Sequence, residues 1–426
     1  MKVLDLSLLL PGPLCTSFLA APPVIRSRAL RRAITLRVTG LIGRGNAMLA
    51  VVLVCALLTY GGVSLFVAAF AVYPFARELF REANIPRRLI PGTIALGSFT
   101  FTMDALPGSP QIQNIIPTTF FRTDTWAAPR LGLCGALFVF FAGMAYLRRQ
   151  RLLAERSGEG FDSAQRSGAQ SIDPTPTDPI AEAPVEDAGP AVPWLIAFLP
   201  LVLVGALNLV FTRLLPRAYK GSFDFAAIGA KGVPALDLDK LVPLWAVEGA
   251  LLCGIAAIIL TAFQRVRAPF AKAATIAVGG ALLAAFNTAS EYGFGGVIAA
   301  LPGFRAISAA LGHAIHNPLI NEAITTTTLA GITGSASGGM SIALAAMGQT
   351  YLDQATAAGI PREVLHRVAA MASGGMDTLP HNGAVITLLA VTGLTHRQSY
   401  RDIFAMTLIK TTAVFVVIGF FYAFHI

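Results

Sequence analysis

The sequences MDALP at residues 103–107 and MDTLP at residues 376–380 are two versions of one motif, each inside a long apolar stretch. Proline lacks a backbone N–H and interrupts a helix, so each motif predicts two half-helices flanking an unwound loop. Asp104 and Asp377 put a carboxyl group into each loop, and a carboxylate among membrane-type residues is costly enough to indicate a functional role. The alternative is that each aspartate only caps the half-helix that follows it.

Two more matches show that the motif belongs to an internal repeat. GVSLFVAAF at residues 62–70 aligns with GMSIALAAM at 339–347, and IPR at 85–87 aligns with IPR at 360–362. With the motif pair, the three offsets are 277, 275 and 273 residues, so order and spacing are nearly kept. The sequence therefore predicts two related halves.

The composition indicates a chain embedded in a lipid bilayer. Of its 426 residues, 55% are hydrophobic and 13% charged, and the mean hydropathy is +0.66, whereas soluble domains carry about 25% charged residues. Its long continuous apolar runs predict helices rather than barrel strands, which alternate in polarity. We therefore predict an all-α polytopic membrane protein. The net charge of +9 comes from arginines in short loops, which indicates cytoplasmic loops rather than a nucleic-acid partner.

The chain is expected to have four parts. Residues 1–45 form an atypical N-terminal segment, which we interpret as a truncated scaffold or a misassigned start. Residues 46–147 form the first membrane repeat, and residues 193–426 form the second repeat with scaffold helices. Between them, residues 148–192 begin with arginines and become acidic and rich in Pro, Ser and Gly, a composition that predicts a disordered cytoplasmic linker.

The basic loops give the two repeats opposite orientations in the membrane. The apolar runs around the glycines at 61–62 are shorter than the roughly 20 residues that a spanning helix needs. They predict a re-entrant hairpin, and the repeat predicts a second one with its tip at 334–341. Inverted repeats with re-entrant hairpins and broken transmembrane helices are typical of alternating-access transporters.

Motifs of other function classes do not occur in the sequence. There is no Walker A, HExxH, GxSxG or GxGxxG string, and the four cysteines lack a metal-type spacing. We therefore expect no enzymatic activity, no ATP-driven transport, no cofactor and no metal site.

Longer strings around the hairpin tips and aspartate loops resemble the gluconate permease family of gluconate:proton symporters. They are LTYGGVSLFV at 58–67, TMDALPGSPQIQN at 102–114, GSASGG at 334–339 and LPHNGA at 379–384. That family belongs to the ion transporter superfamily of hairpin-and-broken-helix carriers. The resemblance implies a homo-oligomer in the bacterial inner membrane that carries gluconate, a related sugar acid or 3-hydroxybutyrate together with protons.

We expect the organic anion to bind between the hairpin tips and the aspartate loops, through backbone N–H groups and hydroxyls. The expected binding residues are Gly61, Gly62, Ser64, Thr102, Asp104, Gly108, Ser109, Asn114, Ser335, Ser337, Gly338, Gly339, Ser341, Ser373, Thr378 and Asn382. Asp104, Asp377 and His381 are the candidates for proton coupling, because each can gain and lose a proton. Small residues at the tips equally suit close helix packing, and His381 equally suits a local hydrogen bond.

Two alternatives to proton symport stay open on the sequence. One is a sodium-coupled organic anion carrier, in which unwound carbonyls and hydroxyls hold the sodium ion. The other is an inactive truncated remnant, which the short first half suggests.

Overall fold

The structure is a computed structural model that describes residues 46–62, 65–161, 194–219, 221–223, 236–267 and 315–424, with isolated positions between 286 and 310. These residues form helices joined by turns, apart from one antiparallel ribbon of two residues per strand, β1 (Ser222–Phe223) and β2 (Leu236–Asp237). The prediction of an all-α fold is confirmed at this level, and such a fold is compatible with the predicted membrane protein. The expected N-terminal segment 1–45 lies outside the described residues.

The first predicted repeat contains six helices. They are α1 (Ala47–Tyr60), α2 (Leu65–Glu82), α3 (Leu89–Ser98), α4 (Phe101–Asp104), α5 (Ile112–Phe121) and α6 (Pro129–Arg156). α1 and α2 pack against each other as a hairpin around Gly61 and Gly62. α3, α4 and α5 belong to one apolar stretch that is interrupted at residues 99–100 and again between Asp104 and Ile112. The second break contains Pro107, as predicted, but Asp104 ends the short helix α4 and does not lie in an unwound loop.

The second predicted repeat begins with a pair of long helices that pack on each other, α7 (Trp194–Ala218) and α8 (Leu238–Arg267). It continues with α9 (Pro318–Thr333), α10 (Ala336–Ala357), α11 (Arg362–Gly374), the 3-10 helix Gly375–Thr378, α12 (Gly383–Thr392) and α13 (His396–Phe424). α9 and α10 form a hairpin, and the interruption between α11 and α12 falls at MDTLP.

The helices α2 and α10 end in the same way. Asn84 and Gly359 have φ angles of 49° and 69°, in the left-handed region. The next residues, Ile85 and Ile360, each donate a backbone N–H to the carbonyl five residues earlier, at 2.8 Å in both cases. This is the hydrogen-bond pattern of a Schellman helix end, so the matching IPR sequences follow matching local structures.

The outward faces of two long helices are apolar. α6 and α13 are the two described helices that are long and apolar enough to cross a membrane. Phe141 on α6 is 64% exposed, and Leu408 on α13 is 55% exposed. Such surfaces are unfavourable in water but suit contact with lipid, because a helix satisfies its own backbone hydrogen bonds.

The linker starts later than the sequence predicts. α6 continues to Arg156, and beyond it Glu159 forms an ion pair of 2.8 Å with Arg88. Phe161 is buried, and its N–H donates to Asn84 Oδ1 at 3.1 Å. The predicted disordered linker 148–192 is therefore wrong for residues 148–161, because charged side chains continue a helix readily and then find partners on the first repeat. Residues 162–192 lie outside the described part of the chain.

Close packing within the α9–α10 hairpin gives a first test. A Cβ atom on Gly339 would overlap the Ala330 backbone on the facing helix. We expect Gly339→Ala to lower the free energy of unfolding by roughly 1–3 kcal/mol, because overpacking forces the helices apart. Thermal unfolding of the purified protein in detergent measures this as a lower Tm.

The matched control is Gly419→Ala on α13, where nothing lies within 4 Å of the added Cβ. This variant should keep the wild-type Tm or raise it slightly, since alanine favours a helix over glycine. Equal Tm values for the two variants would contradict the described packing of the hairpin.

Candidate functional site

The candidate site centres on the buried side chain of Lys410, midway along α13. Its Nζ lies 2.7 Å from Asp104 Oδ2, and both side chains are 2% exposed. The same ammonium donates to the carbonyl of Phe99 at 2.8 Å and to the carbonyl of Gly374. One cation therefore joins Asp104 to the C-terminal ends of two half-helices, α3 and α11.

Helix ends suit this ammonium for an electrostatic reason. α3 ends at Ser98, so the Phe99 carbonyl lies just beyond its last turn, and Gly374 is the last residue of α11. The C-terminal carbonyls of a helix lack N–H partners and carry partial negative charge. Gly374 also provides the space, because a Cβ there would overlap the Asp104 carboxylate.

The half-helix α3 approaches Lys410 from one end of α13. At its start, Arg88 Nη1 lies 3.0 Å from Asp402 Oδ2, near the beginning of α13. At its end, the Phe99 carbonyl accepts from Lys410. α3 therefore runs along α13 from the level of Asp402 to the level of Lys410.

The half-helix α11 approaches Lys410 from the other end of α13. A Cβ placed on Gly135 of α6 would touch the side chains of both Met371 and Val417. Met371 of α11 thus lies at the level of Val417, and three residues later the Gly374 carbonyl reaches Lys410. The two half-helices point toward each other and meet at one ammonium group.

The second aspartate loop is held by neutral groups instead. Asp377 Oδ2 accepts from Gln113 Nε2 at 2.8 Å. Its Oδ1 accepts from the N–H of Ala336 at 3.2 Å, in the first turn of α10, and from Asn382 Nδ2 at 3.4 Å. Asp377 thus lies at a helix N-terminus, where a carboxylate is favoured, and the described residues give it no ion pair within 4 Å.

Each hairpin tip packs against the loop of its own repeat. In the first repeat, Tyr60 donates its hydroxyl to the Pro107 carbonyl at 2.9 Å, and Gln111 donates to the Thr59 carbonyl at 2.7 Å. In the second repeat, Asn382 donates to the Gly334 carbonyl at 2.8 Å. The predicted proximity of tips and loops is therefore present within each half.

A second buried cation lies next to the first loop. Arg367 on α11 is fully buried and donates to the Asp104 carbonyl at 2.8 Å, the Ala127 carbonyl at 2.8 Å and Asn114 Oδ1 at 3.0 Å. His366 lies 3.2 Å from the same Asn114 oxygen. These groups tie the start of α5 to α11.

Several expected binding residues use their side chains on the protein itself. Thr102 and Ser109 donate to the carbonyls of Gly97 and Thr102, at 2.9 and 2.6 Å. Ser373 donates to the Ala370 carbonyl at 2.8 Å, and Thr378 lies 2.7 Å from Thr407 Oγ1. In this conformation these hydroxyls stabilise helix ends.

The tips contain the remaining expected residues. Gly61 and Gly62 are buried at the first tip, and Ser64 lies outside the described residues. Ser335 caps α10 by accepting from the Gly338 N–H at 3.1 Å and lies 3.3 Å from the Ser337 hydroxyl. The other predicted residues are buried as well: Gly108, Asn114, Gly339, Ser341 and Asn382.

His381 occupies a different setting from the two aspartates. It is exposed, and its Nε2 lies 3.3 Å from the Gly331 carbonyl of α9. A Cβ on Gly334 would overlap its ring, so His381 covers the turn between α9 and α10. The described structure gives His381 a local hydrogen bond at the tip and no contact with Lys410.

Sequence reasoning missed Lys410, Arg367 and Gln113. A lysine in the middle of the last apolar run is a detectable signal, because an ionisable residue inside a membrane segment is a functional hypothesis by default. Arg367 gives the same signal on α11. Gln113 is polar but unexceptional in sequence, and only the fold places it beside Asp377.

The arrangement resembles no metal centre. Within the described ranges, no group of three His, Cys, Asp or Glu side chains is placed to hold a metal ion. What it provides is a pair of interrupted helices with buried charges at their meeting point, together with two tips of small residues.

These features define the class of an all-α integral membrane protein with a buried polar site between interrupted helices. The chain is 57% identical over 401 residues to the uncharacterized transporter YxjC of Bacillus subtilis (strain 168). This alignment covers 93% of the chain and 83% of YxjC. It therefore belongs to the same transporter family as YxjC, and a transport function is supported. No protein-family model matches the chain.

The ion pair between Asp104 and Lys410 gives a stability test. Asp104→Asn should lower the free energy of unfolding by about 3–5 kcal/mol, because it leaves a buried ammonium without its counter-charge. The double variant Asp104→Asn with Lys410→Met should recover part of this loss, since the unpaired buried ammonium is removed while the Phe99 and Gly374 carbonyls lose its hydrogen bonds. Thermal unfolding in detergent measures both.

The matched control is Glu78→Gln, which removes one partner of the exposed ion pair between Glu78 and Arg81. Exposed pairs contribute little, so its Tm should stay close to wild type. If Asp104→Asn behaved like this control, or if the double variant were no better than the single one, the buried pair would not stabilise the core.

Proposed function

We propose that the protein is a secondary active transporter that carries a small hydroxy-carboxylate together with a proton, by alternating access. Gluconate, a related sugar acid and 3-hydroxybutyrate are the proposed substrates. The observation that carries this proposal is the meeting of α3 and α11 at Lys410, next to a family relationship to a transporter. Interrupted helices of this kind place their termini at the membrane midplane, where such carriers bind substrate.

The approach of α3 and α11 from opposite ends of α13 supports inverted repeats. The first repeat then enters from the cytoplasm and the second from outside, and α1–α2 and α9–α10 are re-entrant hairpins. The ion pairs of Arg88 with Glu159 and Asp402 bring together three regions that the positive-inside rule assigns to the cytoplasm. That common end is consistent with the proposed inner-membrane topology.

The anion is proposed to bind between the tips and the loops. α5 begins at Ile112 without a side-chain cap, so its first N–H groups are suited to a carboxylate. Arg367 lies beside this helix start. Among the described residues its hydrogen-bond acceptors are carbonyl and amide oxygens, and no carboxylate lies within 4 Å of it. Uncapped N–H groups and a nearby cation favour a negatively charged substrate.

Lys410 favours proton coupling over sodium coupling. Helix-end carbonyls and a carboxylate are the oxygen groups that would hold a sodium ion, and here they surround the Lys410 ammonium instead. A permanent side-chain cation at that place removes the need for a mobile one.

Of the sequence candidates for the coupled proton, Asp104 is neutralised by Lys410 and His381 is exposed at a tip. Asp377 is hydrogen-bonded to amide groups of Gln113 and Asn382. All three stay proposals for a role near the site, and the homo-oligomeric state is proposed from the family resemblance alone.

Uptake by purified protein in proteoliposomes tests the proposed function. Labelled gluconate and 3-hydroxybutyrate should accumulate when the outside is acidic relative to the inside, and accumulation should stop when a protonophore collapses the gradient. Replacing sodium with choline at fixed pH should leave the uptake unchanged.

Gly374→Ala provides a matched inactive protein for the same assay, since its Cβ would overlap the Asp104 carboxylate. We expect this variant to lose most uptake. Gradient-driven uptake of neither acid would refute the substrate class, and uptake that needs sodium would refute proton coupling.

A further inference from the structure

A third buried carboxyl group lies outside the two aspartate loops. Glu322, in the second turn of α9, is 0% exposed, and within the described part of the chain neither of its carboxyl oxygens has a hydrogen-bond partner. Thr326, one turn further along the same helix, is also fully buried, and its hydroxyl lacks a partner too. Because residues four apart lie on one face of a helix, these unpartnered oxygens share one buried face.

The described helices that pack on α9 give Glu322 no counter-charge. α10 presents the Tyr351 hydroxyl, which interacts with Thr325 and Met347. The buried ionisable groups of the other described neighbours, α11, the 3-10 helix and α13, have partners elsewhere. These are His366 with Thr123 and Asn114, Arg367 with carbonyls, Asp377 with amides, Asp402 with Arg88, and Lys410 with Asp104.

Burial without a partner decides the charge state of Glu322 in this conformation. An ionised carboxylate in a low-dielectric interior loses its hydration and gains nothing in return, so such a group takes up a proton instead. Asp104 and Asp377 escape this requirement, because an ammonium and three N–H donors respectively stabilise them. Unlike Asp104 and Asp377, Glu322 must therefore be protonated to remain buried in this conformation.

The position of Glu322 connects it to the part of the fold that alternating access would move. It lies on the first helix of the α9–α10 hairpin, whose tip contacts Asp377 and Asn382. Further along α9, Thr327 donates to the Ala372 carbonyl of α11 at 3.0 Å. A shift of this hairpin against α11 would change the surroundings of Glu322 and the tip together.

We propose that Glu322, with the Thr326 hydroxyl beside it, binds the proton that is transported with the substrate. This rests on the proposed symport and names the group that couples it. The proton binds to a Glu322 carboxylate oxygen when that oxygen faces water, stays bound while the side chain is buried, and leaves to water on the other side. Among the described residues, these two side chains supply three oxygens, which is few for a sodium site.

Glu322→Gln tests this proposal, because glutamine has the shape of the protonated side chain and cannot release a proton. In proteoliposomes loaded with unlabelled gluconate or 3-hydroxybutyrate, the variant should exchange internal for external labelled substrate as wild type does. It should lose concentrative uptake driven by an acidic exterior, and its exchange should no longer depend on pH. Glu248→Gln, on the half-buried carboxyl group of α8, is the matched control and should keep both activities.

The outcomes separate the two proposals. Failure of wild type to accumulate either acid contradicts the symport itself, whereas proton-driven accumulation by Glu322→Gln contradicts only the role of Glu322. A folded variant that loses exchange as well would show a substrate or structural role and would also overturn the inference.

Infrared spectroscopy tests the protonation of Glu322 without any substrate. At neutral pH the wild-type protein should show the C=O stretching band of a protonated carboxylic acid, and Glu322→Gln should lack that band. Identical spectra in this region would overturn the inference. The Glu248→Gln spectrum shows whether the loss is specific to position 322.

Discussion

The central interaction of the structure is the contact of the Lys410 ammonium group with Asp104 and with two helix ends. It neutralises the carbonyl ends of two half-helices and the Asp104 carboxylate at the same time. Without such a cation, two helix C-termini that face each other would place partial negative charges and a carboxylate together in a low-dielectric interior. One side chain therefore supplies the opposite charge where the two interrupted helices meet, and Gly374 leaves the space for it.

The two halves of the chain share a motif, but the carboxyl group of that motif has different partners in each half. Asp104 has a cationic partner, whereas Asp377 has the amides of Gln113 and Asn382 and a helix N-terminus. The same motif is therefore stabilised by an ion pair in the first half and by hydrogen bonds from N–H donors in the second.

The local features of the fold could be predicted from the sequence, because proline, glycine and apolar runs act over a few residues. The helix breaks at MDALP and MDTLP, and the hairpins around Gly61 and Gly334, follow from such rules. The partners across the fold could not be predicted in the same way. The apolar sequence around Lys410 indicates a functional role for this residue. Nothing in that local sequence predicts that it pairs with Asp104 rather than with Asp377, which is nearer along the chain. The extension of α6 to Arg156 was missed because charged residues suit a solvated helix as well as a linker.

The opposite approach of α3 and α11 is tested most directly by the sidedness of the residues just before them. Glu82 and Ala357 occupy equivalent repeat positions, at the ends of α2 and α10, and both are exposed. In a protein whose own cysteines are replaced, Ala357→Cys should react with a membrane-impermeant maleimide added to intact cells. Glu82→Cys should react only after the membrane is permeabilised. Labelling of both positions from the same side would contradict the inverted arrangement and, with it, the proposed transport mechanism.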